Sequence, residues 1–303
     1  MRVAGVDLGT GATRLLVADV DAGHVEPLHR ETRLTRLGEG VDRRRRLLPA
    51  PIARVRNALT DYRRIAEQLG AERVLAVATS AVRDAENGEA FLGEVEWSYG
   101  FATRLLSGDE EAQLMRRGVA AGRELRADTL VVDVGGGSTE LILDGFHTSV
   151  DIGSVRLTER HLHSDPPTDG ELDDAARAID ALLPELDAAY AVGVAGTLHR
   201  LAALDRGGDP TDGHVLSARA LEELTARLAR MTVAERRALP TMEPERAPVI
   251  PAGALVLLQI VRRYRLDGIE ASERDLLDGV ALAATELPER EEGAAPPGAF
   301  TCC

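Results

Sequence analysis

The sequence predicts an α/β protein built from one duplicated domain, with a mixed sheet in each half. Three observations carry this. Asp7-Leu-Gly-Thr-Gly-Ala-Thr-Arg-Leu-Leu-Val17 aligns without a gap on Asp133-Val-Gly-Gly-Gly-Ser-Thr-Glu-Leu-Ile-Leu143, sharing Asp, two glycines, Thr and Leu. Further on, Ala78-Thr-Ser-Ala-Val-Arg83 aligns on Ala195-Gly-Thr-Leu-His-Arg200, and the two offsets, 126 and 117 residues, are nearly equal. Two matches in the same order at near-equal spacing are the mark of an internal repeat. Finally, each half opens with an apolar run, a glycine turn and a second β-rich run, the pattern of a hairpin.

Element by element, Val3 to Val6, Leu15 to Val20 and Val25 to Leu34 read as a meander. Helical periodicity follows over Ile52 to Leu69, a buried strand over Arg73 to Ala78, a helix over Asp84 to Val95, a strand over Phe101 to Leu105 and a helix over Gly108 to Ala121. In the second half Leu130 to Val132, Leu141 to Leu143 and Thr148 to Ile152 repeat the meander. Leu172 to Leu186 reads as helix, Ala191 to Ala195 as strand and Thr197 to Leu204 as helix. From Leu216 onward the pattern is helical, over Ala218 to Arg230, Val249 to Tyr264 and Arg274 to Thr285, punctuated by Pro240, Pro244, Pro248 and Pro251. The expected domains are 1–127 and 128–286, with 287–303 a disordered tail.

Composition removes whole classes. All 36 basic residues are arginine, so the lysine of a Walker A loop, of a pyridoxal Schiff base and of a protein kinase is missing. Codon bias in a GC-rich bacterial genome accounts for that. Aromatics are 3%, too few for base-stacking platforms, so nucleic acid is not an expected partner. The net charge of −14 is uneven: residues 1–127 carry 20 Arg against 19 acids and residues 128–303 carry 16 Arg against 31. A polyanion would be hosted by the first half. The two cysteines, Cys302 and Cys303, are adjacent and build no disulfide framework. With no secretory signal and no apolar run long enough to span a bilayer, a cytoplasmic chain without membrane association is expected.

An Asp ending a buried strand before a glycine-rich turn can offer backbone N–H groups to an anion while its carboxylate holds a hydrated cation. Two such turns facing each other would clamp phosphate. Either turn alone is equally well a tight hairpin needing glycine at positive φ. Neither fits the dinucleotide pattern, since Arg14 and Glu140 stand where its third glycine belongs.

Asp7-Leu-Gly9, Leu37-Gly-Glu-Gly-Val41, Ala78-Thr-Ser-Ala-Val-Arg83-Asp-Ala-Glu-Asn87, Ser107-Gly-Asp-Glu-Glu-Ala112, Val132-Asp-Val-Gly-Gly-Gly-Ser-Thr-Glu140 and Ala195-Gly-Thr197 together resemble the exopolyphosphatase / guanosine pentaphosphate phosphatase (Ppx/GppA) family over residues 1–285. The resemblance implies duplicated actin-like, ribonuclease H-like domains flanking a cleft. It implies hydrolysis of the terminal phosphoanhydride of inorganic polyphosphate, or of guanosine pentaphosphate in the stringent response. A non-catalytic polyphosphate or alarmone sensor and a sugar- or acetate-kinase role are the rivals. Long family members continue into extra C-terminal domains that this sequence does not show, so short polyphosphates are expected to serve at least as well as long ones. A homodimer is within the expectations.

By that resemblance Glu111 is the catalytic base and Arg83 contacts the substrate phosphate. Residue chemistry alone divides Ser107-Gly-Asp-Glu-Glu evenly: a carboxylate at a helix start can take a proton from an attacking water, and Ser107 with Glu110 also spells a capping box. Glu110 suits the cap better. Thr10 and Gly11, with Gly136, Gly137 and Ser138, would bind phosphoryl oxygens. Asp133, then Asp7 and Glu140, would hold Mg²⁺ or Mn²⁺, which the resemblance implies and hard oxygen ligands suit. Arg43 to Arg46 form the one basic run, a solvated loop or a polyanion track. The histidines show no metal-ligand spacing, and His161 and His163 are expected to point apart.

Overall fold

A computed structural model describes residues 1–121, 123–209 and 211–288. It divides into two compact units, the first comprising Met1–Glu124 with the chain from Arg274, the second Leu125–Glu273.

The first unit opens with the meander: β1 (Arg2–Leu8), β2 (Ala12–Asp21) and β3 (His24–Leu34). After the short α1 (Val41–Arg44) come α2 (Pro49–Gln68), β4 (Arg73–Ala78), α3 (Ser80–Arg83), α4 (Gly88–Tyr99), β5 (Ala102–Leu105) and α5 (Gly108–Val119). The sheet order is β3-β2-β1-β4-β5, with β1 antiparallel to β2 and parallel to β4. Residues alternate faces along a strand. Ala4, Val6 and Leu8 of β1 therefore enter one core with Val55, Leu59 and Tyr62 of α2 and Phe91 and Val95 of α4. Gly5 and Asp7 face the other way.

The second unit repeats the plan. β6 (Thr129–Val134), β7 (Thr139–Leu143) and β8 (Phe146–Val150) form its meander, followed by α6 (Ser154–His161), α7 (Asp169–Asp180), β9 (Tyr190–Val194) and α8 (Ala195–Arg206). Then come β10 (Val215–Ser217), α9 (Ala218–Arg230), α10 (Val233–Arg237), α11 (Ile250–Tyr264) and β11 (Gly268–Ala271). Its sheet, β10-β11-β9-β6-β7-β8, matches the first in its β8-β7-β6-β9 core. α11 is buried on nearly every side, only Arg262 and Arg263 being exposed. This is the signature of a helix enclosed by its own domain.

The last helix, α12 (Leu276–Ala284), packs in the first unit, on β1 and α5. The sequence placed it in the second domain; glycines explain the difference. A Cβ on Gly118 of α5 would lie 1.9 Å from the Asp275 carbonyl oxygen, and one on Gly279 of α12 would lie 1.9 Å from that of Leu114. Only two glycines let the helices cross this closely. Gly5 gives α12 its seat on the sheet, 3.2 Å from Val280 when a Cβ is built there.

Three further expectations are corrected. The helix read from Asp84 begins at Gly88, because Asn87 turns back to bond both backbone groups of Leu47. The helix read from Leu172 to Leu186 spans Asp169–Asp180, short of Pro184, which disfavours helix before it. The stretch from Leu216 is not all helix, since β10 and β11 lie within or beside it. The expected tail beyond Pro288, with Cys302 and Cys303, falls outside the described residues. No helix among the described residues is long and apolar enough to cross a membrane. The two units repeat one mixed-sheet plan, as the duplicated motifs predict.

Candidate active site

The aligned turns are built alike. In the first unit the Gly9 N–H donates to the Ala12 carbonyl at 3.0 Å; in the second, the Gly135 N–H donates to that of Ser138 at 3.0 Å. Asp7 stands opposite Arg14 across its hairpin and Asp133 opposite Glu140 across the other. The turns' carbonyls are consumed by neighbouring chain. Gly38 and Arg36 donate to Thr10 and Gly11, while Ser154 donates to Gly135, and Val155 and Arg156 to Gly136. The amides of Thr10 and Gly11, and those of Gly136, Gly137 and Ser138, donate to no acceptor among the described residues. A run of such N–H groups is an anion cradle. The glycines do not serve positive φ, contrary to the plain-hairpin expectation: Gly9, Gly11 and Gly135 to Gly137 are absent from the left-handed positions of the described chain. What they provide is an uncovered backbone.

Charge distinguishes the turns. Asp7 is buried, and Arg14 donates from Nε to its Oδ2 at 2.8 Å. The same guanidinium reaches Asp275, the N-cap of α12, at 2.6 Å; Arg30 bonds Asp275 at 3.3 Å and Asp278 at 2.7 Å. A chain of alternating charge thus runs beneath the first turn. Burial raises the Asp7 and Asp278 carboxyl pKa values, whereas Asp275, although burial acts on it too, is held below the usual range by Arg14 and Arg30. Sequence reasoning missed this network because its bonded partners lie up to 261 positions apart.

In the second turn the partner is acidic. Glu140 accepts from Ser138 Oγ at 2.7 Å and Ser149 Oγ at 2.9 Å, and burial pushes its carboxyl pKa up. Ser138 thereby directs its hydroxyl to Glu140, leaving its amide for an anion. Two carboxylates side by side on one sheet face, with one raised, suit a cation. Among the described residues no group of three or more His, Cys, Asp or Glu is placed to hold a metal, but Mg²⁺ commonly uses one or two carboxylates and keeps its waters. Asp133 and Glu140 fit that demand. Asp7 offers only Oδ1, buried and without a hydrogen-bond partner.

The first unit also gathers Arg83 and Glu111. Ser107 caps α5 as expected: its Oγ accepts from the Glu110 N–H at 3.2 Å, and the Glu110 carboxylate accepts from the Ser107 N–H at 2.9 Å. These bonds hold the Glu110 pKa below its ordinary value. Glu111, one residue on and so rotated about 100° around the helix, lies with its Oε2 3.7 Å from Arg83 Nη1. Arg83 is fixed by donating to the Leu106 carbonyl at 2.6 Å. The glycine turn joins through Thr10 Oγ1, 2.8 Å from Ser80 Oγ on α3, the helix that carries Arg83. In the second unit Thr197, from the second repeat, donates to the Val134 carbonyl at 3.1 Å and ties the start of α8 to the end of β6.

A duplicated mixed-sheet fold whose strand-end turns bare their amides, with a carboxylate and a guanidinium beside one of them, defines an enzyme class that handles phosphoryl groups. Within that class, the chain belongs to the Ppx/GppA phosphatase family, whose model matches residues 16–286. It is 43% identical over 314 residues to Exopolyphosphatase 2 of Mycobacterium tuberculosis, covering 93% of this chain and 98% of that protein. It is 31% identical over 311 residues to Exopolyphosphatase 1 of Mycobacterium bovis, covering 93% of this chain and 88% of that one. Among solved structures, the type II variant of the Aquifex aeolicus Ppx/GppA phosphatase superposes with a TM-score of 0.82 at 29% identity, over 94% of this chain and 99% of that one.

Proposed function

We propose that this protein is an exopolyphosphatase: water attacks the terminal phosphorus of an inorganic polyphosphate chain, the terminal phosphoanhydride breaks, and orthophosphate leaves. The observation that carries the reading is the Arg83–Glu111 pair at 3.7 Å. Glu111 takes the proton of the attacking water, and Arg83 binds oxygens of the transferring phosphoryl group, where charge must be stabilised. The relatives' names support polyphosphate as substrate.

Backbone amides do the remaining binding. Thr10 and Gly11 in the first unit, and Gly136, Gly137 and Ser138 in the second, donate to phosphoryl oxygens. Asp133, with Glu140 beside it, would hold Mg²⁺ or Mn²⁺. A divalent cation there would neutralise negative charge on phosphoryl oxygens. Ser138 and Ser149 hold the Glu140 carboxylate in place.

Phosphate release from short polyphosphate, long polyphosphate, guanosine pentaphosphate and ATP, measured in parallel on the purified protein, tests the substrate. Fastest release from polyphosphate supports the reading. Preference for guanosine pentaphosphate replaces it with alarmone hydrolysis, and binding without release makes the protein a sensor.

A further inference from the structure

The arginine run has no part in the chemistry above, and its setting is specific. Arg43 to Arg46 are all exposed, and among the described residues none of their side chains has an acidic partner or a hydrogen bond. Nearby arginines differ: Arg54 pairs with Glu39 at 2.7 Å and Arg56 with Glu94 at 2.6 Å.

Arg44 and Arg46 line a cavity of about 410 Å³, with an apolar wall that includes Leu47, Leu48 and Ile52. The volume suits a small ligand, on the order of 300 to 1,000 Å³. The backbone carrying the arginines is pinned. Asn87 accepts from the Leu47 N–H at 2.8 Å and donates to the Leu47 carbonyl at 3.1 Å, and the Glu86 N–H donates to the Arg45 carbonyl at 2.8 Å. The 20-residue α2 also starts at this wall, capped by Leu48 and without an acid in its first turn. Its positive end therefore adds to the field of two unpaired guanidiniums.

We infer that this cavity is a second anion site, which takes a short phosphate chain. Arg44 and Arg46 supply forked N–H donors matched to phosphate oxygens. An inorganic chain and the phosphate tail of a nucleotide present the same oxygens; the apolar wall would receive a nucleotide's base. Neither Arg83 nor Glu111 lines the cavity, so the inference concerns binding and stands apart from the hydrolysis proposed above. The anchoring residue Asn87 follows Arg83 by four positions, which links an occupant to the segment that carries Arg83.

The test is calorimetric titration of the full chain with inorganic tripolyphosphate and, separately, with ATP, at low and high salt. The proteins compared are wild type, Arg44→Gln/Arg46→Gln, and Arg63→Gln as an exposed control on α2. The expected result is loss of one binding equivalent, or at least about tenfold weaker salt-sensitive binding, in the double variant alone, with its thermal melt unchanged. Loss for tripolyphosphate only assigns the inorganic chain, loss for ATP only assigns a nucleotide, and loss for both assigns the shared phosphate chemistry. Unchanged binding of both ligands, or an equal loss in Arg63→Gln, overturns the inference. Because titration reads binding, this outcome is separable from any failure of Glu111 as a base.

Discussion

The Arg83 guanidinium stands 3.7 Å from the Glu111 carboxylate, while the adjacent Glu110 is spent on capping α5 through Ser107. Neighbouring acids on one helix turn are thus held differently, Glu110 by the cap and Glu111 beside Arg83.

The role proposed for Arg83 uses a planar fork, which a point charge does not replace. Arg83→Lys and Arg83→Gln should each lower kcat/KM for polyphosphate by roughly 10² to 10³, the usual worth of a transition-state donor. Steady-state kinetics checks this. Near-wild-type activity in Arg83→Gln would remove Arg83 from the site.

Metal dependence is expected from the role proposed for Asp133 and Glu140, which stand side by side across the hairpin. Chelator should abolish phosphate release, and Mg²⁺ or Mn²⁺ should restore it. Asp133→Asn should raise the metal concentration giving half activity by about tenfold, in the range seen when metal-site carboxylates or their supports are changed. Full turnover in chelator would count against any metal role.

The buried ionic chain predicts a stability effect. In Asp275→Ala, Arg14 and Arg30 lose their shared acceptor and α12 loses its cap. Removing one member of a buried pair costs about 3 to 5 kcal/mol, whereas Arg63→Ala, breaking an exposed pair with Glu67, should cost under about 0.5 kcal/mol. Urea denaturation measures both, and equal small losses would show that the network contributes little.

Acid sensitivity is expected at Glu171. Its carboxylate accepts from the backbone N–H groups of Thr168, His163 and Ser164, and its pKa is lowered to about 2. A depressed acid stabilises the fold fully above its unfolded value, about 4.3. That contribution is lost as pH falls through the folded value, about 2. Glu171→Gln should therefore flatten stability against pH between those limits. An unchanged profile in acid-denaturation curves would contradict this.

Strands and meanders were legible because hairpins and buried runs are local patterns, and the repeat declared the duplication. β11 was not, since Gly268–Ala271 is too short to show alternation. The placement of α12 rests on Gly118 and Gly279, ordinary glycines until the helices are seen to cross. At the site, Glu111 and Arg83 were named from motifs, as was Glu110 in its capping role. The ionic network beside Asp7 was hidden: Arg14 looked only like a misplaced third glycine, and Asp275 and Asp278 reach Arg14 and Arg30 from the far end of the chain.

The central claim is that Glu111 is the base, and the most direct measurement compares Glu111→Gln with Glu110→Gln in both polyphosphate hydrolysis and polyphosphate binding. Glu111→Gln should lower turnover by roughly 10² to 10⁴ with binding nearly intact, and Glu110→Gln should cost far less turnover while weakening the cap of α5. Equal losses in the two variants, or unchanged turnover in Glu111→Gln, would contradict the account.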